Sequence, residues 1–195
     1  MGFLSVLSFA HKCVLERIRP GDAVVDATVG TGADTAFLCE AVGEKGALYA
    51  FDIQQQALDR ASERINRLPG APHRLHLLLQ SHAEMTEAIP PEHHGQISAV
   101  MFNLGYLPGG DPQIITRPES TLPALDAAVS LLKPGGIVTV VLYPGHEGGR
   151  GEADRVELWA EALPDSDYQA IIYRFTNKRG IAPYVIAVEK RKVYS

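Results

Sequence analysis

The sequence predicts an α/β fold, a largely parallel sheet flanked by helices, on two observations. Short β-rich runs alternate with longer amphipathic stretches from Ala23 to about Tyr143, the pattern of successive βαβ units. Each β-rich run then ends at a polar or glycine-rich turn, where open α/β sheets place their ligands. The 195 residues, 46% hydrophobic and 21% charged, suit one domain over 1–195 with an ordinary core and exclude collagen-like, coiled-coil and disordered chains.

In chain order, a leading helix is expected near Leu4–Ile18, packing Leu7, Val14, Leu15 and Ile18 at helical spacing. The run Ala23–Thr28 reads as the first strand, followed by a helix over Asp34–Ala41. Strand Ala47–Asp52, helix Gln54–Leu68 and strand Arg74–Leu79 repeat the unit. Strand Ile97–Asn103, helix Pro118–Leu132, strand Gly136–Leu142 and helix Arg150–Ala162 continue it. The last two strands, Tyr168–Phe175 and Tyr184–Glu189, are joined by a turn too short for a helical crossover, so that pair is expected to be antiparallel.

Composition narrows the function classes. No apolar run approaches the roughly 20 residues that span a bilayer, so no membrane partner is expected. The first dozen residues lack the basic start and small-residue cleavage site of a signal peptide, and Val6 stands where a myristoylated Gly2 would want Ser or Thr. Cys13 and Cys39 sit in apolar helical patterns and read as buried free thiols, which suits a reducing, cytoplasmic location. His73, His76, His93 and His94 lack clustered partners, so no metal site is expected; His93 and His94, beside Glu92, read as a solvated loop. A net charge of -5 opposes a general grip on nucleic acid and leaves room for a local basic face. The oligomeric state stays open, a homodimer included.

The segment Val24-Val25-Asp26-Ala27-Thr28 runs into Val29-Gly30-Thr31-Gly32-Ala33-Asp34-Thr35 and then a helix. Two glycines in such a turn let backbone come close to a ligand beside a helix N-terminus. Asp52 follows Gly32 by 20 residues at the end of the next strand, where a ribose-binding carboxylate belongs. The third glycine of the dinucleotide fingerprint is missing and Asp34 occupies the region of a pyrophosphate, which points away from NAD. S-adenosylmethionine matches better: it offers a ribose diol to Asp52, an ammonium to Asp26 or Asp34, and a carboxylate to backbone N–H groups. The alternative is a ligand-free turn with Asp34 as a helix cap. In Gln80-Ser81-His82, His82 either helps hold an adenine or caps the next helix.

The fourth strand ends in Asn103-Leu104-Gly105-Tyr106-Leu107-Pro108-Gly109-Gly110-Asp111. Its Asn-x-x-Tyr spacing resembles the Asn-Pro-Pro-Tyr loop of methyltransferases that modify amino groups. A nitrogen attacking a sulfonium methyl must be neutral and aimed; the Asn103 oxygen can accept its N–H while Tyr106 flanks it. The alternative is a turn that positions Asp111 and the next helix. After the fifth strand come Tyr143-Pro144-Gly145-His146-Glu147-Gly148-Gly149-Arg150. His146 or Tyr143 could take the amine's proton, and His146 as a plain loop residue is equally open.

End to end, the chain resembles the YtqB-like family of rRNA-methylase-like enzymes. The likeness rests on Ala10-His11, Pro20-Gly21-Asp22, Val25-Asp26-Ala27-Thr28 with Gly30, Gly32, Asp34 and Thr35, and Phe51-Asp52-Ile53-Gln54. It continues through Asn103 to Asp111, Thr116, Thr121, Tyr143, Gly145-His146, Gly148-Gly149, Phe175, Asn177 and Pro183, and departs from the family pattern at Thr31, Ala33, Pro112 and Gly151. The resemblance implies a class I methyltransferase fold, a seven-stranded sheet of order 3-2-1-4-5-7-6, and S-adenosylmethionine as methyl donor. It also implies methylation of the aminomethyl group on wobble 2-thiouridine in tRNA, and hence contact with the anticodon region. The donor would be held by Asp26, Thr28, Gly30, Gly32, Asp34, Thr35, Asp52, Ile53, Ser81, His82 and Asn103. Catalysis falls to Asn103, Tyr106 and His146, and substrate binding to His11, Gly105, Asp111, Tyr143, Arg150, Lys178 and Arg179. The phosphates of an RNA would need local cations, with Arg117 a further candidate. The expected chemistry is direct in-line transfer, since neither cysteine lies in a loop suited to attack a base.

Overall fold

A computed structural model describes residues 2–111, 113–178 and 182–192. Helix α1 spans Val6–Leu15, started by Ser5, whose hydroxyl accepts from the Ser8 N–H at 3.1 Å. The alternating units follow: β1 (Ala23–Asp26), α2 (Ala33–Val42), β2 (Ala47–Asp52), α3 (Gln55–Ile65) and β3 (Arg74–Leu79). A short helix α4 (Met85–Ala88), not expected from the sequence, precedes β4 (Ile97–Asn103), α5 (Pro118–Leu131) and β5 (Leu132–Leu142). The chain closes with α6 (Gly149–Glu161), β6 (Tyr168–Tyr173) and β7 (Tyr184–Lys190). No described helix is long and apolar enough to cross a membrane.

The seven strands form one sheet of order β3-β2-β1-β4-β5-β7-β6. The first five pair in parallel, and β7 runs antiparallel to both β5 and β6. The central strands are apolar on both faces, and Phe51 and Phe102 are fully buried. Each such side chain contributes about 1.5–3 kcal/mol through burial. Because β2 and β3 are added on one side of β1 and β4 and β5 on the other, the strand order switches at β1, and the carboxyl ends of β1, β2 and β4 open onto one crevice.

Four local expectations are corrected. The buried face of α1 is Val6, Ala10, Cys13 and Val14, whereas Leu7 and Leu15 are exposed; Val6 and Ala10 pack on Val141 of β5 and Val185 of β7, and those two strands set the helix's rotation. Strand β1 stops at Asp26 rather than Thr28, because the Asp26 carboxyl accepts from the Thr28 N–H at 3.1 Å and turns the chain out of the ladder. His93 is half-buried rather than solvated, with a ring nitrogen 2.8 Å from the Tyr49 hydroxyl, while His94 is exposed as expected and donates to the Ile89 carbonyl at 2.9 Å. Strand β5 also begins earlier than expected, at Leu132, which pairs with Ile97 across a register shift. Cys13 and Cys39 are buried free thiols, and burial drives the Cys39 thiol up to about 12, so it stays protonated.

Candidate active site

The turn after β1 is built around two carboxyl groups with different tasks. Asp26 is fully buried and accepts from the Thr35 hydroxyl at 2.6 Å, tying the strand end to α2. Burial, and then the neighbouring Asp34 carboxylate, push Asp26 up to about 7. Asp52, at the end of β2, accepts from the Gly30 N–H at 2.9 Å and the Gln54 N–H at 2.9 Å, one to each oxygen. Each carboxylate oxygen retains acceptor capacity, so a vicinal diol can still be bound.

Gly30 and Gly32 both take positive φ, +55° and +75°, but for different purposes. A Cβ on Gly30 would meet nothing closer than 3.9 Å, whereas one on Gly32 would fall 2.6 Å from the Ala61 Cα of α3. Gly32 therefore serves the close approach of α2 and α3, and Gly30 shapes the turn.

A second cluster joins elements distant in sequence. The His11 Nε2 donates to Asp34 Oδ1 at 2.7 Å, and its ring stacks on Phe37 with centroids 4.0 Å apart. The other Asp34 oxygen accepts from Asn103 Nδ2 at 3.3 Å, and the Asn103 backbone N–H donates to the Thr28 hydroxyl at 2.7 Å. With its amide nitrogen so engaged, Asn103 keeps Oδ1 as an acceptor. The Tyr143 side chain adjoins Asn103; burial and then Asp34 raise its pKa, so the hydroxyl stays protonated at neutral pH and supplies no phenolate base.

His146 donates from Nδ1 to the Glu147 carbonyl at 2.8 Å, which leaves Nε2 as the acceptor nitrogen. Its ring meets Tyr106 edge-on at 5.8 Å. Gly105 has φ +145°, and a Cβ there would lie 3.6 Å from His146 Nε2, so the two loops are in close approach. His82 is buried and donates from Nδ1 to the Ala27 carbonyl at 3.1 Å; burial lowers its pKa and keeps the ring neutral. Ser81 accepts from the Ala83 N–H at 3.2 Å and caps that turn, while Ile53 is 60% exposed at the rim.

These residues line one cleft of about 1070 Å³ along the carboxyl ends of β1, β2 and β4. Its walls include His11, Thr28, Gly30, Asp34, Asp52, Ile53, Ser81, His82, Asn103, Gly105, Tyr106, Tyr143 and His146. Asp26, Gly32 and Thr35 stand behind the wall and shape it. Asp111 is exposed and accepts from the Gln113 N–H at 2.9 Å. Arg150 and Lys178 line a neighbouring depression of about 350 Å³ together with Arg174 and Phe175. There Arg150 pairs with Asp154 at 3.2 Å, and Lys178 sits 5.1 Å above the Phe175 ring. Arg179 lies outside the described residues.

Asp34, Asp52 and Glu119 line the large cleft, with Arg117 the one lysine or arginine among the described lining residues. That balance suits a ligand carrying positive charge and a diol and opposes a pyrophosphate, so the donor set fits S-adenosylmethionine. Sequence reasoning missed the roles of Phe37, Glu152 and Arg60, whose Nη1 donates to the Pro108 carbonyl at 2.8 Å. Each contact spans more than 25 residues, so no local pattern signals it.

The profile of the "Putative rRNA methylase" family matches residues 48–189. A chloroplastic tRNA (mnm(5)s(2)U34)-methyltransferase from Arabidopsis thaliana is 38% identical over 190 residues, covering 94% of this chain and 68% of that protein. Among solved structures, a "putative rRNA-methylase" from Clostridium thermocellum has TM-score 0.91 at 37% identity, covering 97% of this chain and 100% of the other. A "putative methyltransferase" from Streptococcus mutans, in complex with SAH, has TM-score 0.85 at 28% identity, covering 97% of this chain and 99% of the other.

Proposed function

The chain belongs to the Putative rRNA methylase family and is an S-adenosylmethionine-dependent methyltransferase, and from that premise we propose that it methylates the aminomethyl nitrogen of wobble 5-aminomethyl-2-thiouridine in tRNA. The observation that carries this reading is the posture of Asn103. Its backbone is pinned by Thr28 and its amide nitrogen by Asp34, so Oδ1 is presented to the cleft as a fixed acceptor for an N–H. An amine is the kind of nucleophile such an acceptor aims; a ring carbon carries only a C–H, which offers it no comparable hydrogen bond. The Arabidopsis relative, whose name specifies the mnm(5)s(2)U34 nucleotide, supports the same acceptor.

Asp52 would hold the donor's ribose diol, Asp34 would face its ammonium, and Ser81 with His82 would border the adenine. When bound, S-adenosylmethionine supplies a methyl group activated by a sulfonium centre. The residues of the chain supply aim and proton traffic. The Asn103 oxygen accepts one N–H of the neutral amine, directing its lone pair inward, and Tyr106 flanks it from the exposed rim. As the nitrogen–carbon bond forms, the methyl–sulfur bond breaks and leaves its electron pair on a neutral thioether; the nitrogen then sheds a proton, which His146 Nε2 at the cleft wall would receive. Arg117 at the cleft, with Arg150 and Lys178 in the adjoining depression, would meet phosphates of the anticodon region.

The test is tritiated methyl transfer into tRNA carrying aminomethyl-thiouridine, beside unmodified tRNA and rRNA, followed by nucleoside mass analysis. Label confined to the aminomethyl nucleoside is expected. Label in rRNA alone would replace this acceptor with a ribosomal one.

A further inference from the structure

Behind the cleft, Glu152 of α6 is 2% exposed. Its Oε2 accepts from the Thr116 hydroxyl at 2.7 Å and its Oε1 from the Thr121 hydroxyl at 2.6 Å. Among the described residues no Lys, Arg or His lies within ion-pair distance of it. A buried carboxyl group held by two neutral hydroxyls is a poor choice for stability, since an apolar side chain would avoid the desolvation cost. What Glu152 connects gives it a reason to be there.

Thr116 holds Gly105 twice. The Gly105 N–H donates to the Thr116 hydroxyl at 2.8 Å, and the Thr116 N–H donates to the Gly105 carbonyl at 2.8 Å. Gly105 stands two residues beyond Asn103 and next to Tyr106, which itself bridges to Ile115. At its other end Glu152 donates its own N–H to the Gly148 carbonyl at 3.1 Å. The adjoining Gly149 is packed so closely that a Cβ there would fall 2.3 Å from the Tyr143 carbonyl and 2.8 Å from His146 Nε2. Glu152 thus links two segments: its side chain holds the Thr116 that grips the Asn103–Tyr106 loop, and its backbone belongs to the first turn of α6, which continues the Tyr143–His146 segment.

We propose that Glu152, acting through Thr116, is a positioning residue for methyl transfer, locking the Asn103–Tyr106 loop in register with the His146 segment. The proposal rests on the reading that Asn103 and Tyr106 aim the acceptor. Thr116 and Thr121 offer a matched pair for testing it. Each gives one hydroxyl to the same carboxyl group, but Thr116 alone of the two reaches Gly105.

T116V, T116S, T121V and E152Q are compared in three measurements: kcat and KM for methyl transfer, affinity for S-adenosylhomocysteine, and amide hydrogen exchange at Gly105 and Tyr106. T116V is expected to lower kcat about 10- to 100-fold, the scale of a displacement of about 1 Å in an aimed reaction. It should leave S-adenosylhomocysteine affinity within twofold and speed Gly105 exchange at least tenfold, roughly. T116S restores both readouts, and E152Q, which keeps one acceptor oxygen, falls between. T121V should lose stability comparably while keeping kcat within about twofold and Gly105 exchange unchanged. Unchanged Gly105 exchange in T116V, or an equal loss of kcat in T121V, would overturn the proposal. A wild-type protein that methylates no tRNA would instead overturn the assigned acceptor, and the exchange comparison would still decide the role of Glu152.

Discussion

Replacing Gly32 with Ala separates the two glycines of the first turn, which sequence patterns treat alike. Both hold positive φ, so a Cβ at either costs about 1–2 kcal/mol in backbone strain. At Gly30 the cost ends there, because the nearest atom to the new Cβ is 3.9 Å away. At Gly32 the Cβ would lie 2.6 Å from Ala61 Cα, 2.9 Å from Ala61 Cβ and 3.1 Å from Ala61 N, two of them backbone atoms that cannot rotate away. Helices α2 and α3 must then separate, adding about 1–3 kcal/mol for overpacking. G32A should therefore lose about 2–5 kcal/mol and G30A about 1–2 kcal/mol, read from urea denaturation midpoints with unchanged slopes. Adding A61G to G32A should recover a minority of the loss, since it removes the 2.9 Å contact and leaves the backbone ones. Equal losses in G30A and G32A, or full recovery by A61G, would refute the packing account of Gly32.

Further outcomes follow from the same geometry. D52A should weaken S-adenosylhomocysteine binding about 100-fold, as expected for losing two hydrogen bonds to a charged acceptor, whereas N103A should leave that affinity within about threefold and cut kcat by about 100-fold; calorimetry and methyl-transfer kinetics test this division, and equal loss of affinity in both variants contradicts it. Asp26 binds its proton more tightly folded than unfolded, because its pKa stands at about 7 against an ordinary 3.8. Its contribution to stability is fully present below pH 3.8 and is lost as pH rises toward about 7. D26N removes that dependence, so the stability of the wild-type protein relative to D26N should fall by up to about 1.4 kcal/mol per pH unit across that window and level off above it; urea midpoints at pH 5 and pH 8 suffice, and a difference that is flat or rises with pH is the contrary result. If Arg117, Arg150 and Lys178 each meet a phosphate, the KM for tRNA should rise about 20- to 40-fold between 50 and 200 mM salt; a KM that ignores salt would remove these cations from the substrate surface.

Much of this architecture was legible along the chain, since the β-rich runs, their spacing and the polar residues at their ends follow from local periodicity and turn chemistry. The five parallel strands, the antiparallel final pair and the placement of Asp52 and Asn103 at strand ends all agree with the reading from residues, and the strand order agrees with what the family resemblance implied. What local patterns could not supply is which side chains meet across the crevice. The face that α1 buries depends on β5 and β7, so Leu7 and Leu15, apolar and correctly spaced, remain exposed. His11 becomes part of the site because α1 carries it to Asp34, a residue 23 positions away. The sequence by itself determined the class of fold and the chemistry gathered at one sheet edge, because those depend on neighbours within a few residues. Tertiary structure alone decided that Gly32 serves helix packing, that Asp26 stands behind the wall rather than on it, and that Glu152 joins two loops, because each depends on contacts between segments whose separation in the chain carries no periodic signal.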